Sequence, residues 1–192
     1  TVADYDRDQG TITLVIQALG KTTLEMRDHY KAGDSIVDFV GPLGLPQHVS
    51  RAGHVVLVGG GLGVAPVYPQ LRAFKEAGNR TTGIIGFRNK DLVFWEETFG
   101  RYCDNLIVCT DDGSYGKPGF VTAALQEVLD HDRPDLVIAI GPLPMMNACV
   151  ETTRPFGVKT MVSLNAIMVD GTGMCGSCRV TVDGQVKFAC VE

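Results

Sequence analysis

A chain of 192 residues and 20.6 kDa can bury a sizeable core without crosslinks, so its six cysteines are not required as staples. Seventeen basic against 22 acidic residues give a net charge of -5, with no Lys/Arg run, which argues against a nucleic-acid or anionic-membrane surface. No apolar stretch approaches the roughly 18 residues of a membrane segment and no leader pattern opens the chain, so the expectation is a reducing, cytoplasmic setting where close cysteines bind metal or do redox work.

Thr1 has no methionine before it, and Glu192 follows Cys190 without a finishing element, so a processed chain or a piece of something longer is expected. "TITLVIQAL", bounded by Gly10 and Gly20, reads as a β-strand. A second strand is predicted from Ser35 to Val40, stopped by "GPLGLP". Residues 1–48 therefore read as all-β, with too few strands to close a barrel.

From His54 the texture changes. Strands are predicted over 54–58, 81–86, 106–110, 135–140 and 158–163, with helices over 64–77, 92–99, 119–130 and 144–153. Five almost wholly apolar strands alternating with helices predict a parallel sheet covered on both faces, with ligands at the strand C-terminal ends. The domain division read from this is 1–48, 49–163 and 164–192.

Gly59, Gly60, Gly61 and Gly63 follow the first of these strands and open a helix, a context suited to the phosphates of a nucleotide. The alternative is a turn that needs glycine only for packing. No G-K-[ST] closes the loop, so ATP hydrolysis is not expected, and Pro66 fits a first helical turn. "GFRNKD" ends the second strand where adenosine ribose would lie. Arg88 suits a 2'-phosphate while Asp91 and Glu96 suit free ribose hydroxyls, so NAD and NADP both stay open. Asp111 and Asp112 read as a turn whose backbone lines the crevice, since no third carboxylate or spaced histidine completes a metal pattern. Gly141 opens "GPLPMM", a backbone turn where Met145 and Met146 pack and Met145 is a candidate cofactor contact. His29, His48, His54 and His131 have no triad-like spacing.

Cys103, Cys109 and Cys149 read as buried thiols. In "VDGTGMCGSCRV" the surroundings are glycine-rich instead. A thioredoxin-like pair would need a long helix after it, but the next residues, "RVTVDG", predict a hairpin. Structural zinc would want a further ligand. The remaining reading is a [2Fe-2S] centre of plant-type spacing, C-x4-C-x2-C with a distant fourth cysteine. Here the first position is Asp170, giving Asp170, Cys175, Cys178 and Cys190 as ligands. If Asp170 only forms a turn, Cys149 is the first candidate to replace it.

"VGGGLGVAPVYP", "GFRNKDLVFWE", "TDDGSYGKPGFVT", "IGPLPMM" and "SLNAIMVDGTGMCGSCRVTVDGQVKFACV" together resemble the flavin and iron-sulfur subunits of the ferredoxin reductase superfamily, over essentially the whole chain. Within it, the chain is similar to dihydroorotate dehydrogenase electron-transfer subunits, to sulfide dehydrogenase and sulfhydrogenase subunits, and most of all to small subunits of NADH-dependent reduced ferredoxin:NADP oxidoreductases. Those small subunits carry an aspartate ligand, which Asp170 matches. The resemblance implies part of an FAD-binding barrel, an NAD(H)-binding domain and a [2Fe-2S] segment. It also implies Thr1 as the last member of an Arg-Pro-x-Ser/Thr flavin motif and Gly20, Lys21, Thr22 and Thr23 ("GKTT") as the loop for the FAD pyrophosphate. Hydride exchange between nicotinamide and flavin would need positioning rather than acid-base groups. The implied partners are a larger glutamate-synthase-like flavoprotein subunit, with its own FAD and [4Fe-4S] clusters, and ferredoxin. A non-catalytic nucleotide binder with structural zinc is the reading from another class.

Overall fold

The computed structural model describes residues 2–164 and 166–192. The chain packs as two compact units, one of residues 2–13 and 48–164 and one of residues 14–47 and 166–192.

The first unit starts with β1 (Val2–Asp6), paired with β2 (Thr11–Leu14), whose last residue already belongs to the second unit. In the second unit α1 (Lys21–His29) follows. This helix corrects the all-β reading of residues 1–48. It buries no side chain, so it leaves no apolar stripe in the sequence. What starts it is Thr23, whose Oγ1 accepts the Leu19 and Gly20 amides at 3.0 and 3.1 Å. The strand predicted over 35–40 does not form either. "SIVDFV" has strand composition, but no neighbour completes its ladder among the described residues, and Val37 is 94% exposed.

Back in the first unit, the elements are β3 (His54–Gly60), α2 (Val64–Glu76), β4 (Arg80–Phe87), α3 (Glu96–Gly100), β5 (Asn105–Thr110), β6 (Lys117–Pro118), α4 (Val121–His131), β7 (Leu136–Ile140), α5 (Leu143–Thr153) and β8 (Lys159–Val162). The sheet has six strands in the order β6-β5-β4-β3-β7-β8, not five, and every recorded pairing in it is parallel. The extra edge strand, β6, is two residues long and too short for any hydropathy signal. The helix predicted over 92–99 shrinks to a 3-10 turn at Lys90–Leu92 and the short α3.

Side chains alternate across the sheet. Val55 and Leu57 join Val67, Leu71 and Phe74 of α2 in one core layer, while Val56 and Val58 join Ala124, Leu125 and Leu129 of α4 in the other. Because both faces are covered, β3 is buried along its whole length, which is why it reads as an unbroken apolar run. β1 is tied to α2 through Arg72, which donates to Asp4 Oδ1 and the Tyr5 carbonyl, each at 3.0 Å, and lies over the Tyr5 ring.

His54 begins β3, with Nε2 hydrogen-bonded to Thr82 Oγ1 at 2.9 Å. Burial above all, and then Arg80, push its pKa down, while Asp132 and Asp135 act the other way. A histidine harder to protonate folded than unfolded stabilises the fold above about pH 6.5 and loses that contribution as the pH falls toward its lower folded pKa. The thermal midpoint is therefore expected to fall between about pH 7.5 and about pH 5.5, and His54→Gln to reduce that drop. An unchanged drop in the variant would clear His54.

In the second unit, β9 (Arg179–Val182) and β10 (Gln185–Phe188) pair antiparallel. Asp183 and Gly184 between them both have positive φ, 49° and 74°, the two-residue turn for which Asp-Gly is suited. Among the described residues no helix is long and apolar enough to cross a membrane.

Candidate functional site

The first unit's strand order reverses between β3 and β7, and in such sheets ligands lie beyond the strand C-terminal ends at that point. β3 ends at Gly59 and Gly60 and runs into a 3-10 turn, Gly61–Gly63; β7 ends at Ile140 and runs into Gly141 and Pro142. The four loop glycines do different work. A β-carbon on Gly59 would press on Val64 of α2 at 3.0 Å. One on Gly60 would collide with Met145 Sδ, and one on Gly63 with the Ile140 carbonyl. Gly60 and Gly63 thus let the loops at the ends of β3 and β7 close on each other, while Gly59 lets α2 start against the strand. Gly61 alone meets nothing within 4 Å and has φ +54°, so it is the glycine that faces open space.

Met145 lies over both loops, since a β-carbon on Gly141 would meet its Cε at 2.7 Å. Met146 is buried in the core, as a packing methionine. Arg88 is exposed just beyond β4. The Asp111 amide donates to the Phe87 carbonyl at 3.0 Å and the Asp112 amide to the Arg88 carbonyl at 3.2 Å, which draws the ends of β5 and β4 together. Asp112 Oδ1 accepts the Ser114 amide and hydroxyl at 2.9 and 2.6 Å, and those bonds hold its carboxyl below the usual range. A latch that sequence reasoning missed joins the same loops. Ser114 Oγ accepts the Lys90 amide at 2.8 Å, and Tyr115 donates to Glu96 at 2.8 Å. No local pattern announces it, because its partners lie 19 and 24 residues apart.

The second unit holds the other set. Gly20 to Thr23 lie at the start of α1, where the first amides have no acceptor within the helix. Thr1, the remaining flavin candidate, lies outside the described residues.

Asp170 is half-buried at the head of the cysteine loop. Its Oδ1 accepts the Thr172 amide and its Oδ2 the Cys175 amide, both at 2.8 Å, and these bonds, Thr172 first, lower its pKa. The lowered pKa keeps the carboxylate ionised, and a carboxylate oxygen that accepts an amide retains a lone pair able to coordinate. The Cys175 thiol receives hydrogen bonds from the Ser177 hydroxyl and amide and the Asp170 amide; these lower its pKa, against a smaller opposing effect of the Asp170 carboxylate. Cys178 Sγ and Cys190 Sγ stand 3.3 Å apart, and this contact is the main reason the Cys190 pKa is raised. Two thiolates about 2.3 Å from one tetrahedral metal would be about 3.8 Å apart, so a small opening of this pair would admit one. The donors thus fit an iron-sulfur group in kind, as two contacting pairs, Asp170 with Cys175 and Cys178 with Cys190. Among the described residues no three His, Cys, Asp or Glu side chains gather around one point.

The other cysteines are of a different kind. Burial pushes the thiols of Cys103 and Cys149 up to about 12 and that of Cys109 to about 11. Cys149, the substitute considered for Asp170, is fully enclosed in a core layer.

Residues 57–151 match a family model described as the oxidoreductase NAD-binding domain, and residues 165–192 match the iron-sulfur cluster binding domain of dihydroorotate dehydrogenase B. A Thermotoga maritima protein named as a homologue of the dihydroorotate dehydrogenase B (NAD(+)) electron transfer subunit is 50% identical over 192 residues, covering 100% of this chain and 67% of that one. The chain belongs to the family of dihydroorotate dehydrogenase B electron-transfer subunits and their homologues. A solved chain of this family's architecture, from the NADH-dependent reduced ferredoxin-NADP oxidoreductase studied for flavin-based electron bifurcation, is 49% identical with a TM-score of 0.91, covering 100% of this chain and 69% of that one. A ferredoxin reductase of carbazole 1,9a-dioxygenase shares the fold alone, at 16% identity and a TM-score of 0.64 over 84% of this chain and 53% of that one. This member of the electron-transfer subunit family is an oxidoreductase subunit, with an NAD-binding domain over residues 57–151 and an iron-sulfur cluster binding domain over residues 165–192.

Proposed function

We propose that this chain is the small, NAD(H)-facing subunit of an electron-bifurcating NADH-dependent ferredoxin:NADP+ oxidoreductase, working in the cytoplasm with FAD and a [2Fe-2S] cluster. The observation that carries it is the pairing of one ionised carboxylate with three thiols in a single loop and hairpin, with hydrogen-bond donors directed at the sulfurs. When bound, a nicotinamide-flavin pair exchanges two electrons as a hydride, and an iron-sulfur cluster exchanges them one at a time.

The chain's own residues bind and orient. Gly61 leaves room for the pyrophosphate of NAD(H), Gly60 and Gly63 bring the two loops together beside it, Gly59 seats the start of α2, and Gly141 and Met145 form its far wall. Arg88, with the backbone of Asp111 and Asp112, lines the adenosine end. The amides of Lys21 to Thr23 in the first turn of α1, with Gly20 leading into it, suit the FAD pyrophosphate, with Thr1 as a further flavin contact. Asp170 and Cys175 would hold one iron and Cys178 and Cys190 the other. The Ser177, Gly173 and Asp170 amides donate to those sulfurs and offset their negative charge. In functional terms the chain divides into a flavin-contacting part over 1–48, an NAD(H)-binding domain over 49–163 and a cluster-binding segment over 164–192.

The partner is a larger glutamate-synthase-like flavoprotein subunit with FAD and [4Fe-4S] clusters, and ferredoxin completes the electron route. Large apolar side chains exposed in the second unit, among them Val37, Val40, Ile167 and Met174, support a protein neighbour there. The names of several relatives favour a second reading, an electron-transfer subunit serving dihydroorotate oxidation. Ferredoxin-dependent against dihydroorotate-dependent reduction of nicotinamide by the purified complex separates the two.

The direct test is a visible spectrum with iron and acid-labile sulfide analysis. Flavin bands together with about two irons and two sulfides per cysteine loop are expected. Colourless protein carrying zinc instead would overturn the proposal.

A further inference from the structure

Within the second unit, residues 41–45, "GPLGL", lie against the cysteine loop, although the whole six-stranded domain separates the two in sequence. Three neighbouring positions make three separate contacts. Leu43 packs on Gly171, the residue after Asp170: a β-carbon there would stand 3.1 Å from Leu43 Cβ and 3.4 Å from its Cδ1. Gly44 has φ +82°, and a β-carbon on it would come 2.7 Å from the Cys190 carbonyl oxygen, so only glycine lets the two backbones lie this close. Leu45 then donates its amide to that same carbonyl at 3.1 Å. The segment therefore touches both ends of the candidate ligand set.

We infer that residues 43–45 form a strap that positions the cluster ligands: Gly44 seats the Cys190 carbonyl, the Leu45 amide fixes it, and Leu43 presses on the turn that presents Asp170. The inference rests on the ligand set proposed above. The physical need is clear from the hairpin. β10 ends two residues before Cys190, and the turn beyond it, closed by the Val191 and Glu192 amides on the Phe188 carbonyl and by the Ala189 amide on the Cys178 carbonyl at 3.1 Å, leaves the Cys190 carbonyl itself to the distant Leu45 amide. Contacts to a distant segment restrict where the Cys190 sulfur can stand relative to Cys178. The strap residues touch backbone and turn rather than metal, so they act through the ligands, as positioning residues.

Gly44→Ala is the test, made in the assembled complex, with Gly33→Ala as control. Gly33 has an equally left-handed φ of +97° but nothing within 4 Å of a β-carbon, so it carries the backbone strain without the contact. Gly44→Ala is expected to release iron to a chelator about 10–100 times faster than wild type and to alter the electron paramagnetic resonance of the reduced cluster, with Gly33→Ala close to wild type. Leu43→Ala keeps the backbone and trims an exposed side chain, so it covers the case in which Gly44→Ala does not fold, and it too is expected to speed iron release. Wild-type release rates and spectra in both Gly44→Ala and Leu43→Ala would overturn the strap. Wild-type complex that gives no electron paramagnetic resonance of a reduced [2Fe-2S] cluster would instead defeat the ligand set on which it rests.

Discussion

Asp170→Asn is expected to lose the cluster and Asp170→Cys to keep it. The two variants divide the residue's two jobs. Asp170 accepts the Thr172 and Cys175 amides and so shapes the loop, and it also offers anionic oxygen to a metal. Asparagine retains a carbonyl acceptor for the turn but has no charge and is a poor ligand. Cysteine loses the turn acceptor but restores the all-thiolate C-x4-C-x2-C spacing. If Asp170 coordinates, the [2Fe-2S] signal of the reduced protein should drop by at least about tenfold in Asp170→Asn and keep its intensity in Asp170→Cys, with an altered visible spectrum. The opposite ranking, a loaded Asn variant and an empty Cys variant, would reduce Asp170 to a turn former. Nicotinamide binding, which belongs to the other unit, is expected to be unaffected in both.

The second large effect separates two glycines two positions apart. Gly61→Val is expected to fold and to bind NADH at least about tenfold more weakly, a loss of about 1.4 kcal/mol, because its side chain enters the space left for the ligand. The left-handed backbone adds a stability cost of about 1–2 kcal/mol. Gly63→Val should fail differently. Its β-carbon meets the Ile140 carbonyl and the Gly141 α-carbon, atoms of the main chain that cannot move aside, so the protein should unfold more easily by about 1–3 kcal/mol or more. Thermal midpoints and NADH titration followed by fluorescence distinguish the two outcomes. A Gly61→Val protein that binds NADH as tightly as wild type would remove the pyrophosphate from this loop.

How much of this could be read beforehand depended on whether the information was local. Apolar runs such as "HVVLV" announce strands buried on both faces, because each of their residues must enter one core layer or the other. The two-residue β6 and the helix α1 gave no comparable signal, one being too short and the other burying nothing. "SIVDFV" misled for the opposite reason, since its composition suits a strand and its place in the fold supplies no ladder partner among the described residues. At the candidate sites, the glycines after β3 were legible as a group, but only the fold separates the open Gly61 from the three that pack.

By itself the sequence determined the alternation that makes the parallel sheet, the Asp-Gly turn of the last hairpin and the four-position spacing of Asp170, Cys175, Cys178 and Cys190. These are set by neighbours a few residues away, through side-chain periodicity, backbone preference and ligand reach. Tertiary structure alone decided the sixth strand, the latch of Tyr115 on Glu96, and the placing of Gly44 under the Cys190 carbonyl. The strand is two residues long and so carries no periodicity, while the latch and the Gly44 contact require segments distant in the chain to meet at hydrogen-bonding or van der Waals distance, and composition carries no record of which segments will do so.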